Sequence, residues 1–494
     1  MAISAPVIGF RAALKEALRT RTGLAGFSMI AVLLGVVVAV PFIAPYDVVR
    51  AWGSRDPWLD NPRFAAPEWS EVFVGKKLPR TVIMENCFTP ETVPISNATG
   101  PEKCPSGGWT RVTVRVILFG DITFVTLTRK FSFTADEFPS ELRLVVWAQF
   151  GQNASQITAT WTRPDNSSLR LLQVSPNQRA PAENVYPLSI PGSGIHEIVR
   201  DWAIVQYNAT DVSNVRPEVT LFAQAGPDML DARKATVLKG EYTMKLEMVA
   251  FGGNSGIDAR MWVYGTVFGI AGTDTNRRDL LVGLLWGAPV ALSFAMVASV
   301  IIVLLQVIIG AIATWYGGMY DEFVQRLADL LLIIPLLPVL ILISIAYSPG
   351  IWTILVVLVG LGFVGATTKV ARSIVLQVKE EAYIESAVSY GASRGRILFK
   401  HIMPRLLPYT FALIALSVPT FIFLEASLSF LGLGDPILPT WGSMLGEAYL
   451  GNAPFRGFWW WIAFPAAGII FATIAFSLLG YSFDKVLNPR LREE

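Results

Sequence analysis

The sequence predicts an α-helical polytopic membrane protein with six transmembrane helices and an inserted, mainly-β extracytoplasmic domain. Of its 494 residues, 53% are hydrophobic and only 16% are charged, whereas soluble domains carry about 25% charged residues. Apolar segments of about 20 residues, long enough to cross a hydrocarbon core of about 30 Å, occur several times. One long polar segment follows the first of them, and parts of it alternate between polar and apolar residues as strands do.

Six apolar segments are predicted to cross the membrane. They are residues 24–44, one span within 280–320, and residues 330–347, 351–368, 407–430 and 458–479. Segment 280–320 is longer than one span requires, so its first ten residues are predicted to lie along the membrane surface before Pro289. A cleaved signal peptide is the alternative for the first segment. Because that segment is long and lacks a small-x-small cleavage site, an uncleaved span is predicted.

Basic residues place both termini in the cytoplasm, because Lys and Arg near spans resist translocation. With six spans, three basic clusters fall on the same side of the membrane. They are Arg11, Lys15, Arg19 and Arg21; Lys369, Arg372, Lys379, Arg394, Arg396, Lys400 and Arg405; and Lys485, Arg490 and Arg492. We therefore expect a multi-pass protein of the cell membrane.

The polar segment 47–278 lies outside the membrane in this topology. Its 24 acidic and 24 basic residues balance, which argues against a nucleic-acid partner. The runs "RVTVRV" from Arg111, "SQITATWT" from Ser155 and "EYTMKLEM" from Glu241 alternate with period two, which predicts antiparallel strands and a β-sandwich-like insert. The predicted domains are therefore residues 1–46, the insert 47–278 and a five-helix core 279–494.

The two cysteines of the chain, Cys87 and Cys104, both lie in this insert. An oxidising exterior allows a disulfide between them, and two free thiols are the alternative. Four Asn-x-Ser/Thr triplets are consistent with surface exposure; they begin at Asn97, Asn153, Asn166 and Asn208.

The sequence offers no evident catalytic or cofactor site. It lacks the Gly-rich phosphate-binding loop of nucleotide hydrolases. Its two histidines, His196 and His401, stand far apart in the sequence, without the spacing of a metal site. We therefore predict no enzyme and expect no cofactor or metal on this chain.

Residues 381–404, "EAYIESAVSYGASRGRILFKHIMP", interrupt the apolar spans with a polar segment. Its apolar positions predict a short helix from Ala382 and a second that begins at Ile397 and ends at Pro404, with a turn at Gly391. A helix, turn and helix that project from a membrane domain suit docking in a groove of a soluble partner. An interfacial amphipathic loop is the alternative that periodicity alone favours.

The same segment resembles the EAA signature of permease subunits of binding-protein-dependent ABC importers. The matching residues are Glu385, Ala387, Gly391, Ile402 and Pro404, and the mild departures are Ser386 and Met403.

Other stretches are similar to the C-type permease of the dipeptide, oligopeptide and nickel importer family. They are "GTDTNRRDLLVGLLWGAPVALS" from Gly272, "DEFVQRLADLLLIIP" from Asp321, "FLEASLSFLGLGDPILPTWGSML" from Phe423, and "VLNPRLR" from Val486, where Asn488 replaces the usual Asp. The resemblance covers residues 1–46 loosely and 272–494 densely. It does not account for the insert, because members of this family have a much shorter segment there.

The resemblance implies a type I ABC importer permease that works with a second permease subunit as a heterodimer. Two ATPase subunits, which hold ATP and Mg²⁺, and an extracytoplasmic solute-binding protein complete the assembly. Di- or oligopeptides are the default substrates, and nickel chelates and oligosaccharides are the alternatives.

Segment 381–404 would be the coupling helix that contacts an ATPase subunit. The implied coupling residues are Glu385, Ala387, Gly391, Ala392, Arg394, Arg396, Ile402 and Pro404. In this interpretation Glu385 holds local hydrogen bonds. Arg394, Arg396 and Lys400 meet acidic groups on the ATPase, with lipid-facing anchors as the alternative.

Polar residues within the spans have predicted roles of their own. Arg326 and Asp329, at i and i+3, are expected to form a structural ion pair. Four residues are candidates for the translocation path or an external gate: Glu425, Ser427, Trp441 and Gly442. Packing against the partner permease, or capping of local backbone, is the alternative for Glu425.

Two other classes of protein stay open from the sequence. A membrane receptor or scaffold would use the external β domain and have no ATPase partner, which leaves the 381–404 pattern unexplained. An intramembrane enzyme would need paired polar groups at matching depth, and Arg326 with Asp329 is a poor candidate for such a pair.

Overall fold

The structure is a computed structural model that divides into two compact units, Met1–Ser54 with Leu280–Glu494, and Arg55–Asp279. The second unit covers residues 55–279, whereas the predicted insert covers residues 47–278. The structure describes residues 10–54, 56–85, 100–103, 109–116, 122–149, 156–175, 182–188, 194–251, 256–347, 350–435 and 437–487. Cys87, Cys104, Asn97 and Asn153 lie outside these residues, so the predicted disulfide stays a prediction.

Helices make up the first unit, and three short ones lie in the second. In chain order they are α1 (Phe10–Ala17), α2 (Arg21–Ile43), α3 (Tyr46–Arg50), α4 (Glu71–Val74), α5 (Ile195–Tyr207), α6 (Pro217–Thr220), α7 (Leu280–Tyr316), α8 (Met319–Ile333), α9 (Leu336–Tyr347), α10 (Ile351–Gly362), α11 (Ala366–Lys379), α12 (Ala382–Ser389), α13 (Arg394–Ile397), α14 (Met403–Phe430), α15 (Trp441–Leu450), α16 (Ala453–Arg456) and α17 (Trp460–Leu487). Short 3₁₀ segments cover Asp56–Trp58 and Glu68–Ser70, and a π-helical turn covers Leu398–Ile402.

Four helices among the described residues are long and apolar enough to cross a membrane. They are α2, α7, a continuous helix Arg394–Phe430, and Trp460–Val486 within α17. The pairs α8 with α9 and α10 with α11 are bent by 71° and 43° at their breaks, and each pair counted as one span gives six. At the first break Ile334 is extended, as the residue before a proline tends to be. The chain is therefore a helical polytopic membrane protein.

Helix α7 runs without a break through Pro289. The ten residues before Pro289 thus belong to the same helix as the span, and their position along the membrane surface stays a prediction. Proline is tolerated in membrane helices where neighbouring helices supply hydrogen bonds and close packing. Here the Trp441 indole nitrogen donates to the carbonyl of Leu284, five residues before the proline, at 3.0 Å.

Small residues let the helices of the first unit approach one another closely, as is common in membranes. A Cβ atom added at Gly26 of α2 would lie 2.8 Å from the Leu479 nitrogen of α17. One added at Gly310 of α7 would lie 2.8 Å from the Thr368 carbonyl oxygen of α11. These contacts bring main chain against main chain, so the helix positions are tightly specified.

The second unit contains two antiparallel sheets. The strands are β1 (Val82–Met84), β2 (Gly100–Lys103), β3 (Thr110–Val116), β4 (Ile122–Phe133), β5 (Glu141–Gln149), β6 (Gln156–Thr162), β7 (Ser168–Val174), β8 (Ala182–Pro187), β9 (Gly240–Phe251) and β10 (Gly256–Tyr264). One sheet has the order β1-β10-β5-β8 and the other has the order β2-β3-β4-β9-β6-β7.

The inner faces of both sheets share one apolar cluster. In β9 the alternate residues Tyr242, Met244, Leu246 and Met248 are all buried in it. Leu144 of β5, in the other sheet, belongs to the same cluster. The three runs with period two from Arg111, Ser155 and Glu241 fall on β3, β6 and β9, because a strand that covers a core must alternate its side chains.

Candidate functional site

The segment between α11 and α14 folds as two short helices joined at Gly391. Helix α12 ends in a Schellman motif, in which the Gly391 amide donates to the Val388 carbonyl at 2.9 Å and the Ala392 amide donates to the Ala387 carbonyl at 3.1 Å. Gly391 has a φ of +74°, which costs a residue with a Cβ atom about 1 kcal/mol. A Cβ atom there would meet nothing within 4 Å. Glycine is therefore required by the backbone conformation and not by crowding.

The second short helix, α13, continues directly into the span α14. The Ser393 hydroxyl caps α13 by accepting a hydrogen bond from the Arg396 amide at 3.4 Å. A π-helical turn then widens the helix, and its last bond runs from the Met403 amide to the Leu398 carbonyl. The prediction that Pro404 ends the helix is wrong, because Pro404 lies in the first turn of α14. A π turn just before a proline relieves the clash between its ring and the preceding turn.

A buried apolar cluster, here called the loop cluster, anchors this segment to two other helices. Its buried members are Ile384, Ile397, Leu398, Ile402 and Leu406 from the segment and the start of α14, Val303, Val307 and Ala311 from α7, and Ala371, Val375 and Val378 from α11. Ala387 and Ala392, on either side of the Gly391 turn, are half-buried against it. Each buried aliphatic side chain of this size contributes about 1.5–3 kcal/mol, so the segment and these helices form one body.

Polar contacts at the end of α7 reinforce the same anchor. The Trp315 indole nitrogen donates to the Arg394 carbonyl at 3.0 Å. The Lys379 ammonium lies 5.6 Å from the centre of the Trp315 ring and donates to the carbonyl of Thr314 at 2.5 Å. Close by, the Arg372 guanidinium binds both carboxylate oxygens of Asp321 at 2.8–3.0 Å. The end of α7, the end of α11 and the start of α13 are thus joined through one tryptophan.

The ion pairs of α8 differ from the prediction. Arg326 pairs with Glu322, one turn earlier on the same helix, with an Nε–Oε1 distance of 3.1 Å. Asp329 pairs with Lys369 of α11. The predicted pair of Arg326 with Asp329 is therefore wrong, because an acidic residue four positions before Arg competes for the guanidinium.

Charged residues of the segment are directed to solvent. Four of them are exposed: Glu385, Arg394, Arg396 and Lys400. The main-chain carbonyl of Arg394 is bound by Trp315. Within the described part of the chain their charged groups form no ion pair. The main chain of Glu385, not its carboxylate, makes the local bond, since its carbonyl accepts from the Ser389 hydroxyl at 3.0 Å.

Apolar side chains lie exposed beside these charges. They are Val388, Tyr390 and Phe399, and Tyr390 is 91% exposed. An aromatic side chain this exposed, on a segment that is itself rigidly held, is typical of a docking surface. Sequence reasoning did not single out Tyr390, although its position directly before the turn glycine was a usable signal.

Two side-chain contacts link α12 and the residue before it to the π turn and the start of α14. Arg405 lies 3.6 Å from the Glu381 carboxylate, and the rings of Tyr383 and His401 are 6.2 Å apart. Partial burial raises the pKa of the Tyr383 phenol, and the positive charge of Arg405 opposes this shift. The phenol is therefore neutral at physiological pH.

Glu425 and Ser427 lie on different faces of α14. Glu425 is fully buried, and its Oε1 accepts a hydrogen bond from the Ser429 hydroxyl at 2.6 Å. Thr440, the N-cap of α15, also interacts with this carboxyl group. Ser427 is half-buried and donates its hydroxyl to the Phe423 carbonyl at 2.7 Å.

Trp441 and Gly442 lie in helix packing. A Cβ atom added at Gly287 of α7 would lie 2.6 Å from Trp441 Cδ1, and one at Gly468 of α17 would lie 2.8 Å from Trp441 Cε2. The indole is therefore held between two helices at glycine positions. A Cβ atom at Gly442 would lie 2.4 Å from the Ala426 carbonyl oxygen. Of the four candidates for a path or gate, three are buried and Ser427 is half-buried.

Apolar helices of spanning length, and a polar helix–turn–helix segment fixed to their ends, define a polytopic membrane protein with a rigidly held, exposed polar segment. Residues 306–493 match the family model described as the binding-protein-dependent transport system inner membrane component. The chain is 34% identical over 223 residues to the oligopeptide transport system permease protein of Bacillus subtilis, a match that covers 45% of this chain and 72% of that protein.

Two further relatives match the same share of this chain. The dipeptide transport system permease protein of Bacillus subtilis is 35% identical over 222 residues, which are 45% of this chain and 68% of that protein. The glutathione transport system permease protein of Pectobacterium atrosepticum is 31% identical over 224 residues, which are 45% of this chain and 72% of that protein. The chain belongs to the family of binding-protein-dependent transport system inner membrane components. It is a transport component and not an enzyme.

Proposed function

We propose that this chain is a permease subunit of an ATP-driven, binding-protein-dependent importer, and that an ATPase subunit docks on segment 381–404. The observation that carries the proposal is the combination of a rigid anchor and an exposed face in this segment. The loop cluster and Trp315 hold it to α7, α11 and α14, while Tyr390 and three cations extend into solvent. A partner that moves this segment therefore also moves the ends of three membrane helices.

The mechanism follows from that attachment. ATP and Mg²⁺ bind to two partner ATPase subunits, whose closure favours one arrangement of the docked segments over another. Because the segment and the helices form one body, the bias reaches the spans as a rigid-body movement between inward and outward opening. Arg394, Arg396 and Lys400 are placed to meet acidic groups on the ATPase. In this proposal Gly391 shapes the contact, and Glu385 is a further exposed contact.

The proposed topology has six spans, with each bent helix pair crossing once. Both termini and segment 381–404 then lie in the cytoplasm, and the β-rich insert 47–278 lies outside. The three basic clusters all fall on the cytoplasmic side in this topology, which supports this orientation. A second permease subunit completes the pathway as a heterodimer, and an extracytoplasmic solute-binding protein delivers the substrate.

Di- or oligopeptides are the proposed substrates. The relatives are named as oligopeptide, dipeptide and glutathione transport system permease proteins, and these names support this class. Within the fifth span, Ser427 is the candidate contact with the pathway, because it is half-buried in the isolated chain whereas Glu425 is fully buried. Glu425, Trp441 and Gly442 instead position α15 against α14, α7 and α17.

The test is co-purification of the full chain with the ATPase subunits of the same host, for the native protein and for Tyr390→Asp. A carboxylate that is buried in the contact without a partner should reduce ATPase retention by about 30-fold, as the loss of an interface hot spot of about 2 kcal/mol does. Tyr347→Asp is the matched control. Tyr347 is similarly exposed, at 80%, and in the proposed topology it lies at the extracytoplasmic end of its span, away from the ATPase.

Two results would overturn the proposal. The first is a well-folded native chain that retains no ATPase in any detergent or nanodisc. The second is an equal loss of ATPase from both variants, which would mean that Tyr390 has no special place in the contact.

A further inference from the structure

The second unit carries a compact exposed apolar patch, here called the interface patch. It consists of Trp69, Val72, Phe73 and Val74, which lie in and just before α4, and of Ile270. Val72 and Phe73 are each 81% exposed. We propose that the interface patch inserts into the lipid–water interface on the extracytoplasmic side of the cell membrane. This inference rests on the proposed topology.

The patch is preformed by hydrogen bonds within the unit. The Trp69 indole nitrogen donates to the Ile270 carbonyl at 2.8 Å, and the Glu68 amide donates to the Gly269 carbonyl at 2.9 Å. The rings of Trp69 and Phe73 meet edge to face at 5.9 Å. Two segments that are about 200 residues apart in the sequence are thus fastened side by side with their apolar side chains outward.

The acidic groups next to the patch are engaged by the protein. One Glu68 oxygen accepts from the Gly269 amide at 3.3 Å, and the other lies 3.3 Å from Arg80. Glu71 accepts from the Leu78 amide at 3.1 Å. Both carboxylates keep their charge in these contacts, and Arg80 offsets the charge of Glu68.

Basic residues follow the patch directly in the sequence. Lys76, Lys77 and Arg80 come within a few residues of Phe73 and are exposed. Lys76 pairs with Glu137 and Arg80 with Glu68, each at 3.3 Å, and exposed ion pairs of this kind are weak, so headgroup phosphates can compete for both cations. The Lys77 ammonium donates to the Thr134 hydroxyl at 2.8 Å. Aromatic and aliphatic side chains with adjacent Lys and Arg are the composition that partitions into membrane interfaces, where long cationic side chains reach the headgroups. The patch therefore has the chemistry of an interfacial anchor.

The position of the patch in the chain keeps lipid within its reach. Ile270 is ten residues before Leu280, where the membrane helix α7 begins, and ten residues span at most about 35 Å. The strand-like segment beside it, with Ala66 bridged to Val267 and the Thr273 amide bonded to the Ala65 carbonyl at 2.9 Å, joins the entry and exit segments of the unit. The interface patch thus belongs to the part of the unit where the chain comes from one span and returns to the next.

Site-specific photo-crosslinking of the full chain tests this inference. Phe73→p-benzoylphenylalanine keeps an aromatic ring at the centre of the patch and leaves both cysteines in place. The labelled chain is reconstituted in nanodiscs of phosphatidylcholine and phosphatidylglycerol, irradiated, and analysed by mass spectrometry for peptides with a lipid adduct. We expect the lipid adduct at position 73 to exceed that at a control position by about tenfold, because an interfacial side chain contacts acyl chains continuously.

Val205→p-benzoylphenylalanine is the control, since Val205 lies on another short helix of the same unit and is 86% exposed. If the Phe73 variant does not fold, the same probe at Val72 replaces it. Equal lipid adducts at the patch and at position 205 would overturn the inference. So would a crosslink from position 73 to another protein, in native membranes, in place of lipid, because a protein partner would then cover the patch.

Discussion

The indole nitrogen of Trp315 lies 3.0 Å from the main-chain carbonyl oxygen of Arg394 and donates a hydrogen bond to it. Trp315 is near the end of α7, and Arg394 begins the short helix after the Gly391 turn. Trp315 also packs against the apolar loop cluster, so the bond adds a polar contact to the apolar attachment between a membrane helix and the exposed segment. In the proposed importer this is where movement of the segment is passed to α7.

Trp315→Phe should weaken this connection while it keeps an aromatic ring beneath Lys379. A single hydrogen bond contributes about 1 kcal/mol, which corresponds to a factor of about five in an equilibrium. We expect the assembled transporter to bind ATPase normally but to show about fivefold weaker stimulation of ATP hydrolysis by substrate-loaded binding protein. Trp352→Phe, a half-exposed tryptophan on α10, is the control. Equal stimulation in both variants would show that the bond carries no coupling.

Gly391→Ala should loosen the end of α12, because alanine resists the positive φ of this position at a cost of about 1 kcal/mol. The amide of Ala392, which closes the Schellman motif, should then exchange its hydrogen about five times faster. Gly395→Ala is the matched control, since a Cβ atom at either glycine meets nothing within 4 Å and only Gly391 has the positive φ. Hydrogen exchange with mass spectrometry on peptides that cover 382–397 measures both. Unchanged exchange in Gly391→Ala would contradict a conformational requirement for glycine.

Local patterns of the sequence predicted the parts of the fold that local physics determines. Long uncharged runs identified membrane helices, since only length and apolarity decide whether a helix can span a bilayer. The period-two run from Glu241 fell on β9, whose alternate residues are buried. The turn at Gly391 followed from the freedom of glycine to adopt positive φ.

Long-range packing decided the features that the sequence did not predict. No pattern in the sequence indicated that the indole of Trp441, 152 positions after Pro289, packs against the same part of the continuous helix α7. Asp329 was expected to pair on its own helix, but it faces Lys369 of α11. The contact of Trp315 with Arg394 likewise has no signal in either local sequence, because it depends on how two helices end side by side.

Gly442→Ala should destabilise the membrane unit, because the added methyl group would lie 2.4 Å from the main-chain oxygen of Ala426. Forcing two helices apart costs about 1–3 kcal/mol, so thermal unfolding in detergent, followed by size-exclusion chromatography after heating, should occur at a lower temperature. Gly360→Ala on α10 should leave the unfolding temperature unchanged, since a Cβ atom there meets nothing within 4 Å. If Gly442→Ala is as stable as the native chain but blocks transport, Gly442 belongs to a gate and the packing interpretation fails.

Cysteine accessibility tests the proposed topology. In a background with Cys87→Ser and Cys104→Ser, Val205→Cys on α5 and Val388→Cys on α12 are both exposed to solvent in the structure. Because six spans place the insert outside and segment 381–404 inside, a membrane-impermeant maleimide should label Val205→Cys on intact cells. It should label Val388→Cys only after permeabilisation. Labelling of both variants after permeabilisation controls for folding and expression. Labelling of Val388→Cys on intact cells would mean that an even number of spans, and not the proposed three, lies between the insert and segment 381–404. The segment would then lie outside the cell, where an ATPase could not dock.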